Sequence, residues 1–442
     1  MTDGDAHERV TARTTCRVCG SASLVDVMDL GDQCIAGAFR KPDGPPIPEP
    51  KLPLQLVRCD RGRDPAACGL LQLRHTVPGE LLYSSYWYRS GINRTMTDNL
   101  HGIARESVDI VGGVLPGELV VDIGCNDGTL FDGYAGLADG ARLVGVDPSD
   151  VARYAVAKGY DVVNDFFSKE ALGQHSPARR AKVITSIAMF YDLEHPRSFV
   201  DDIAQSLADD GIWVSEFSYM PTMLRMNSFD TICHEHLEYY SLAVIERLFA
   251  EAGLEVVRAE LNDVNGGSIR LFAGHAGGRG ARPEDAAALD ALRGSEAELE
   301  LDTATPYDAF GRRVAAVKHD LRRMLEGFRA DGKRVHIYGA STKGNTLLQF
   351  CNIDSSVIDV AADRSPYKWG AKTVGTNIPI VSEDESRAMR PDYYLVLPWH
   401  FKAEFIERER ATIEAGTKLI FPLPEIEVVG PEAIARSAAF AA

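Results

Sequence analysis

The stretch ELVVDIGCNDGTL (118–130) decides the fold. It is an apolar run, then a glycine-bearing turn, then a helix start. A strand that enters a glycine turn and then a helix is one half of a βαβ unit. The pattern continues. ARLVGVDPSD (141–150), DVVNDFF (161–167), KVITSIAMF (182–190) and GIWVSEFSY (211–219) are further β-rich runs, separated by helical stretches at 151–158 and 196–208. Such alternation predicts an α/β fold with a parallel, doubly wound sheet.

Outward from this core the chain divides into three. Residues 1–80 hold five of the eight cysteines and a proline-rich loop from Pro42 to Pro53, with little periodic apolar pattern. This segment is too poor in core to stand alone and needs a staple. Residues 81–295 carry the sheet just described. Residues 296–442 repeat the strand, glycine turn and helix in KRVHIYGASTKGNTLLQFC (333–351). VIDVAADRSP, IPIVS, DYYLVLPWHF and KLIFPLP add four expected strands, so a second, smaller Rossmann-like unit is predicted. An Ala-, Glu-, Leu- and Arg-rich stretch at 282–327 reads as linking helix, with a break expected at Pro306.

Lys and Arg number 47 against 64 Asp and Glu, a net charge of −17. So acidic a chain repels phosphate backbones, and no basic face stands out, so no nucleic-acid partner is expected. No apolar run approaches the roughly 20 residues of a membrane span. The polar Met1–Val10 stretch lacks a signal core. A cytoplasmic protein with no membrane partner is expected, as a monomer.

Cys16 and Cys19 form a CxxC knuckle, and Cys59 and Cys68 a looser second pair. Four thiolates suit tetrahedral Zn2+, which would supply the missing folding energy. A site closed by four ligands is structural, not catalytic. Cys34 is a fifth contender.

The turn Asp122-Ile-Gly124-Cys-Asn126-Asp127-Gly128 resembles that of S-adenosylmethionine (SAM) methyltransferases with the class I, Rossmann-like sheet more than that of NAD enzymes. GxGxxG is absent, and Asp122 and Asp127 would repel a pyrophosphate but suit a cation. Asp147 lies 23 residues past Gly124, where an acid binds ribose hydroxyls. Asp165 would then sit by the adenine amino group.

NSFDTICHEHLEYYSL (227–242) crowds His234, Glu235, His236, Glu238, Tyr239 and Tyr240 together just after the fifth strand. Two histidines this close cannot form an HExxH zinc helix. At the carboxyl end of a strand they point to acid–base chemistry.

The whole chain resembles the C-methyltransferases of deoxysugar biosynthesis, which act on nucleotide-linked 4-keto sugars in antibiotic pathways. The likeness rests on the four-cysteine segment, LYSSYWYRSGINRTM (82–96), DIGCNDGTL, SFDTICHEHLEYYSL, NDVNGGSIR (262–270), YGASTKGNTLLQF (338–350) and LPWHF (397–401). It implies a zinc-binding, a SAM-binding and a C-terminal Rossmann-like domain, with a dTDP-linked 4-keto-deoxysugar between the last two. A base removes the C3 hydrogen and the enolate takes the methyl group. His236 matches the second His of the HEH motif and is the expected base, with Glu235 orienting the site or sharing the proton. Tyr86, in competition with Tyr83 and Tyr88, is a candidate hydroxyl, and His195 a further candidate. Some relatives carry a Tyr just before HEH, where this chain has Cys233. Ser341, Lys343 and Asn345 at the second glycine turn are expected on the diphosphate, with Arg364, Lys368 and His400 as weaker candidates for the same ligand. Three alternatives differ in class: SAM-dependent methylation of another carbon (C5) or of a non-sugar ketone, an inactive zinc-stabilised binding module, and a dehydrogenase.

Overall fold

The computed structural model describes residues 9–37, 39–40, 49–83, 89–176 and 179–433. Its centre is a seven-stranded sheet of β1 (Leu119–Ile123), β2 (Arg142–Val146), β3 (Asp161–Val163), β4 (Ala181–Ile187), β5 (Leu207–Ser218), β6 (Leu254–Asn262) and β7 (Ser268–His275). The strand order is β6-β7-β5-β4-β1-β2-β3, with β7 antiparallel to its neighbours and β1 to β5 parallel. All five residues of β1 are buried, as a strand covered on both faces requires. Its alternate side chains feed two cores: Val121 joins Val144, Ile184 and Trp213, while Val120 joins Val183, Val214 and Phe272. Helix α1 (Arg94–Val111) covers the second with Leu100, Ile103, Ala104 and Val108. Those positions recur at helical spacing.

The linking stretch forms α2 (Pro283–Glu298) and α3 (Thr305–Ala330). The break falls before Pro306, not at it. Proline sits in the first turn of α3, where its missing N–H costs no hydrogen bond.

The C-terminal sheet holds β8 (Val335–Tyr338), β9 (Ala361–Asp363), β10 (Ile380–Ser382), β11 (Tyr393–Val396), β12 (Lys418–Phe421) and β13 (Glu427–Val429), ordered β10-β9-β8-β11-β12-β13. All neighbours are parallel except β13. Strand order reverses between β8 and β11. Helix α4 (Thr342–Phe350) starts at that crevice, the usual ligand position of open α/β sheets.

The cysteine-rich segment does not fold as an island. Its antiparallel strands Leu24–Gln33, Leu52–Cys59 and Leu71–Leu73 gain a fourth, Glu238–Tyr239, from the chain just past the two histidines. Leu30, Leu54, Leu56, Leu71 and Leu73 share one core with Val314 and Leu321 of α3. Phe39–Arg40 pairs with Lys372–Thr373 of the C-terminal unit. Among the described residues no helix is long and apolar enough to cross a membrane.

Candidate active site

The turn after β1 is built on left-handed backbone at Gly124, Asn126 and Gly128 (φ +73°, +52° and +74°). A side chain at Gly128 would meet Tyr160 at 2.9 Å, so glycine is required there. The Asn126 N–H donates to Asp147 Oδ2 (2.8 Å), and the Ser149 N–H and hydroxyl donate to Asp147 Oδ1 (2.8 and 2.6 Å). The Asp147 carboxylate thus ties the end of β1 to the end of β2. Asp127 accepts from the Thr129 hydroxyl (2.5 Å) and the Gly91 N–H (3.1 Å), with Arg89 Nε at 3.7 Å. Asp122 lies in the sheet beneath, accepting from the Thr185 hydroxyl at 2.6 Å, and burial pushes its carboxyl up to about 7. Three carboxyl groups around a tight turn fit a cationic, hydroxyl-bearing cofactor such as SAM and oppose a diphosphate. Asp165 is exposed past β3 and accepts from the Phe166 N–H.

The two histidines have opposite fates. His234 is 1 % exposed, and its Nε2 lies 3.1 Å from the Leu52 carbonyl oxygen. It clamps the zinc-side sheet. His236 Nδ1 lies 2.7 Å from the Thr231 carbonyl oxygen. A carbonyl only accepts, so Nδ1 carries the hydrogen and Nε2 the lone pair. The ring meets Tyr191 edge-on at 4.3 Å between centroids. Burial first, and the Lys343 ammonium second, push His236 down to about 4. At neutral pH it is an uncharged imidazole.

Three carboxyl groups cluster nearby, Glu238 buried and Asp192 and Glu235 half-buried. Burial, then mutual repulsion, holds Asp192 well above the carboxylate range, and burial raises Glu235. Burial first, and the Glu235 carboxylate next, push the Cys233 thiol well above its usual range. Gly37 of the cysteine-rich segment packs so closely that a Cβ there would lie 2.9 Å from Glu235 Oε1.

The C-terminal unit closes the site. Ser341 caps α4, its hydroxyl oxygen accepting from the Gly344 N–H at 3.0 Å. Lys343 Nζ donates to the Asn265 carbonyl of the β6–β7 connection. Trp399 Nε1 donates to Asp230 Oδ2 at 2.8 Å, and His400 packs 3.7 Å from the Cβ position of Gly266. Burial pushes His400 down to about 3, and its buried Nδ1 has no partner.

Several residues singled out in the sequence stand elsewhere. His195 is exposed at the start of helix Pro196–Ser206, and no hydrogen bond among the described residues links its ring to the cluster. Asn345 is 1 % exposed and donates from Nδ2 to the Ala36 carbonyl at 2.8 Å, a clasp between domains. Lys368 Nζ donates to the Ala340 carbonyl (2.5 Å) and faces Asp363 Oδ2 at 3.2 Å, bracing two strand ends. Arg364 is exposed. Tyr86 and Tyr88 lie outside the described residues, as does the side chain of Tyr83. Sequence reasoning missed Asp192, Asp230 and Tyr191. Asp230 lies inside the quoted SFDTICHEH string, while Asp192 has no signal beyond following the fourth strand.

The sulfurs of Cys16, Cys19, Cys59 and Cys68 lie within 4.8 Å of one another, with Cys16–Cys68 and Cys19–Cys59 both at 3.5 Å. Thiolates so close repel without a cation between them, so the set fits zinc. Cys34 lies away from it, its N–H donating to Gln349 Oε1 at 2.8 Å.

Comparison with known proteins agrees. Residues 88–259 match the family model described as "Methyltransferase domain", 263–424 "C-methyltransferase C-terminal domain" and 16–83 "Putative zinc binding domain". C-methyltransferase NovU of Streptomyces niveus is 32% identical over 420 residues, 94% of this chain and 97% of that protein. Partial likenesses among solved structures include magnesium protoporphyrin IX methyltransferase of Synechocystis PCC 6803 with bound SAH (15% identity, 42% of this chain and 88% of that one, TM-score 0.32). Another is the N-methyltransferase NodS of Bradyrhizobium japonicum WM9 (15% identity, 41% of this chain and 98% of that one, TM-score 0.32). The fold and the site define a SAM-dependent methyltransferase with a four-cysteine zinc-binding domain. The chain belongs to the C-methyltransferase family represented by NovU.

Proposed function

We propose that this enzyme methylates C3 of a nucleotide-linked 4-keto-deoxysugar, with thymidine diphosphate as the handle. One observation carries the reading: His236 is an uncharged imidazole whose Nδ1–H is held by Thr231, leaving Nε2 as a base where the SAM-binding and C-terminal units meet. A carbonyl at C4 acidifies the hydrogen on C3. Nε2 removes that proton, the C–H pair becomes the enolate double bond, and the carbonyl π pair moves onto oxygen. Bound SAM supplies the electrophilic methyl group. Asp147, Asn126 and the glycine turn are the residues to hold it. Tyr191 fixes the imidazole ring, and Glu235, wedged against Gly37, braces its chain segment. Ser341 and the opening turn of α4 offer the diphosphate a hydroxyl and backbone N–H groups. The test is incubation with SAM and a dTDP-4-keto-deoxysugar, followed by NMR of the product. A new methyl on C3 supports the reading. A methyl on C5, or none on any nucleotide sugar, overturns it.

A further inference from the structure

Lys343 is the residue whose position the diphosphate reading explains least. It stands in the first turn of α4, beside the crevice of the C-terminal sheet. Its ammonium nevertheless turns away, across the domain junction, to the Asn265 carbonyl between β6 and β7. The wall it faces is the turn Phe229–Thr231, against which α4 packs, with Phe229 and Phe350 edge to face at 5.3 Å. Thr231 of that same turn holds His236 through Nδ1. Lys343 and His236 are therefore both mounted on one turn. Among the described residues, the buried polar atoms without partners at this junction include Asp230 Oδ1 and His400 Nδ1. Buried polar atoms are rarely left unpaired without a reason.

We infer that Lys343 is the oxyanion donor of the reaction: its ammonium hydrogen-bonds the carbonyl oxygen of the substrate as His236 withdraws the adjacent proton. The inference rests on the proposed function and deepens it. As the C–H pair enters the enolate, negative charge builds on that oxygen, and a preorganised cation beside it lowers the barrier. The ammonium stays protonated throughout, and the transferred proton rests on Nε2. Burial first, and the same charge second, keep the imidazole neutral before the step. His236 has Tyr191 against its ring, Thr231 on Nδ1, the Cys233 carbonyl on its own N–H and the charge of Lys343 from α4, while Asp230 and His400 stand on the Lys343 side of the same turn. Lys343 is the cation among them whose field reaches both imidazoles, and Asp230 is its counter-charge.

Lys343→Met and Lys343→Arg are compared with wild type by exchange of the C3 hydrogen for solvent deuterium without SAM, and by dTDP affinity. Thermal melting verifies the fold. Lys343→Met is expected to lose about 10²-fold or more in exchange at saturating sugar nucleotide. Its dTDP affinity should change less than about threefold, because a contact made only in the transition state adds nothing to ground-state binding. Its acid limb in exchange against pH moves to higher pH, because removing a cation makes the imidazole easier to protonate. Lys343→Arg keeps the limb in place. Weakened dTDP binding with exchange intact at saturation would overturn the assignment and return Lys343 to the diphosphate. Lys343→Met exchanging at the wild-type rate with an unmoved limb would also overturn it. If Lys343→Met does not fold, an unmoved limb and undiminished exchange in Asp230→Asn, which removes the counter-charge, would overturn it. Absence of exchange in the wild-type enzyme would instead reject the proposed function itself.

Discussion

Arg17, between the two cysteines of the CxxC knuckle, places its Nε 3.7 Å from Glu238 Oε1, and both side chains are fully buried. Glu238 follows His236 by two residues and lies in the strand that joins the zinc-side sheet. The same guanidinium donates to the Leu73 carbonyl and to the Thr76 hydroxyl at 2.7 Å. The cysteine knuckle is thus tied to the segment that carries His236.

Removing the metal or the arginine is therefore expected to reach the active site. Elemental analysis should find one zinc per chain, lost in Cys16→Ser. Arg17→Met removes the hydrogen bonds to Leu73 and Thr76, a loss of about 1–3 kcal/mol. A urea midpoint unchanged in that variant would contradict the linkage.

The pH dependence follows from His236. An ordinary histidine charges near pH 6.5, whereas burial and Lys343 push this one down to about 4. Falling pH removes the base only when Nε2 takes a proton. The acid limb of kcat/KM should therefore lie well below 6.5, and a limb at or above 6.5 refutes a desolvated base.

Gly267 has φ +119°, and a Cβ there would fall 2.2 Å from Thr222 Cγ2. Gly267→Ala combines backbone strain with a clash and should destabilise by about 2–3 kcal/mol. It should also move Asn265, the partner of Lys343. Gly280→Ala, with open space around it, is the control. Equal melting temperatures for the two variants would contradict the packing.

Asp147 accepts the Asn126 N–H that shapes the cofactor turn. Asp147→Asn should weaken SAM binding by about 10-fold or more, the value of a hydrogen bond to a charged group. Calorimetry reads this directly, and an unchanged Kd would place SAM elsewhere.

The inner parallel strands β1, β4 and β5 are legible in the sequence because burial on both faces writes them as continuous apolar runs such as LVVDI, while the edge strand β3 is half-exposed and reads only from its place in the alternation. Strands β6 and β7 are not. LEVVRAELN mixes buried and half-exposed positions, and its pairing with β7 is set by the NDVNGG connection. The four cysteines are legible by spacing. The fourth strand at Glu238–Tyr239 is not, because two residues carry no periodicity and the partner, Leu71–Gln72, lies far back in the chain. His234 and His236 look alike in sequence. Only the fold separates the one on Leu52 from the one on Thr231. Lys343 reads in sequence as part of its own helix cap, and its reach to Asn265 is a tertiary fact.

The most direct measurement is solvent deuterium entry at C3 of a dTDP-4-keto-deoxysugar, without SAM, in wild type and His236→Asn. Rapid entry is expected in wild type and none above background in the variant, with dTDP affinity retained. Entry at the wild-type rate in His236→Asn would contradict it, for the proton would then leave through another group.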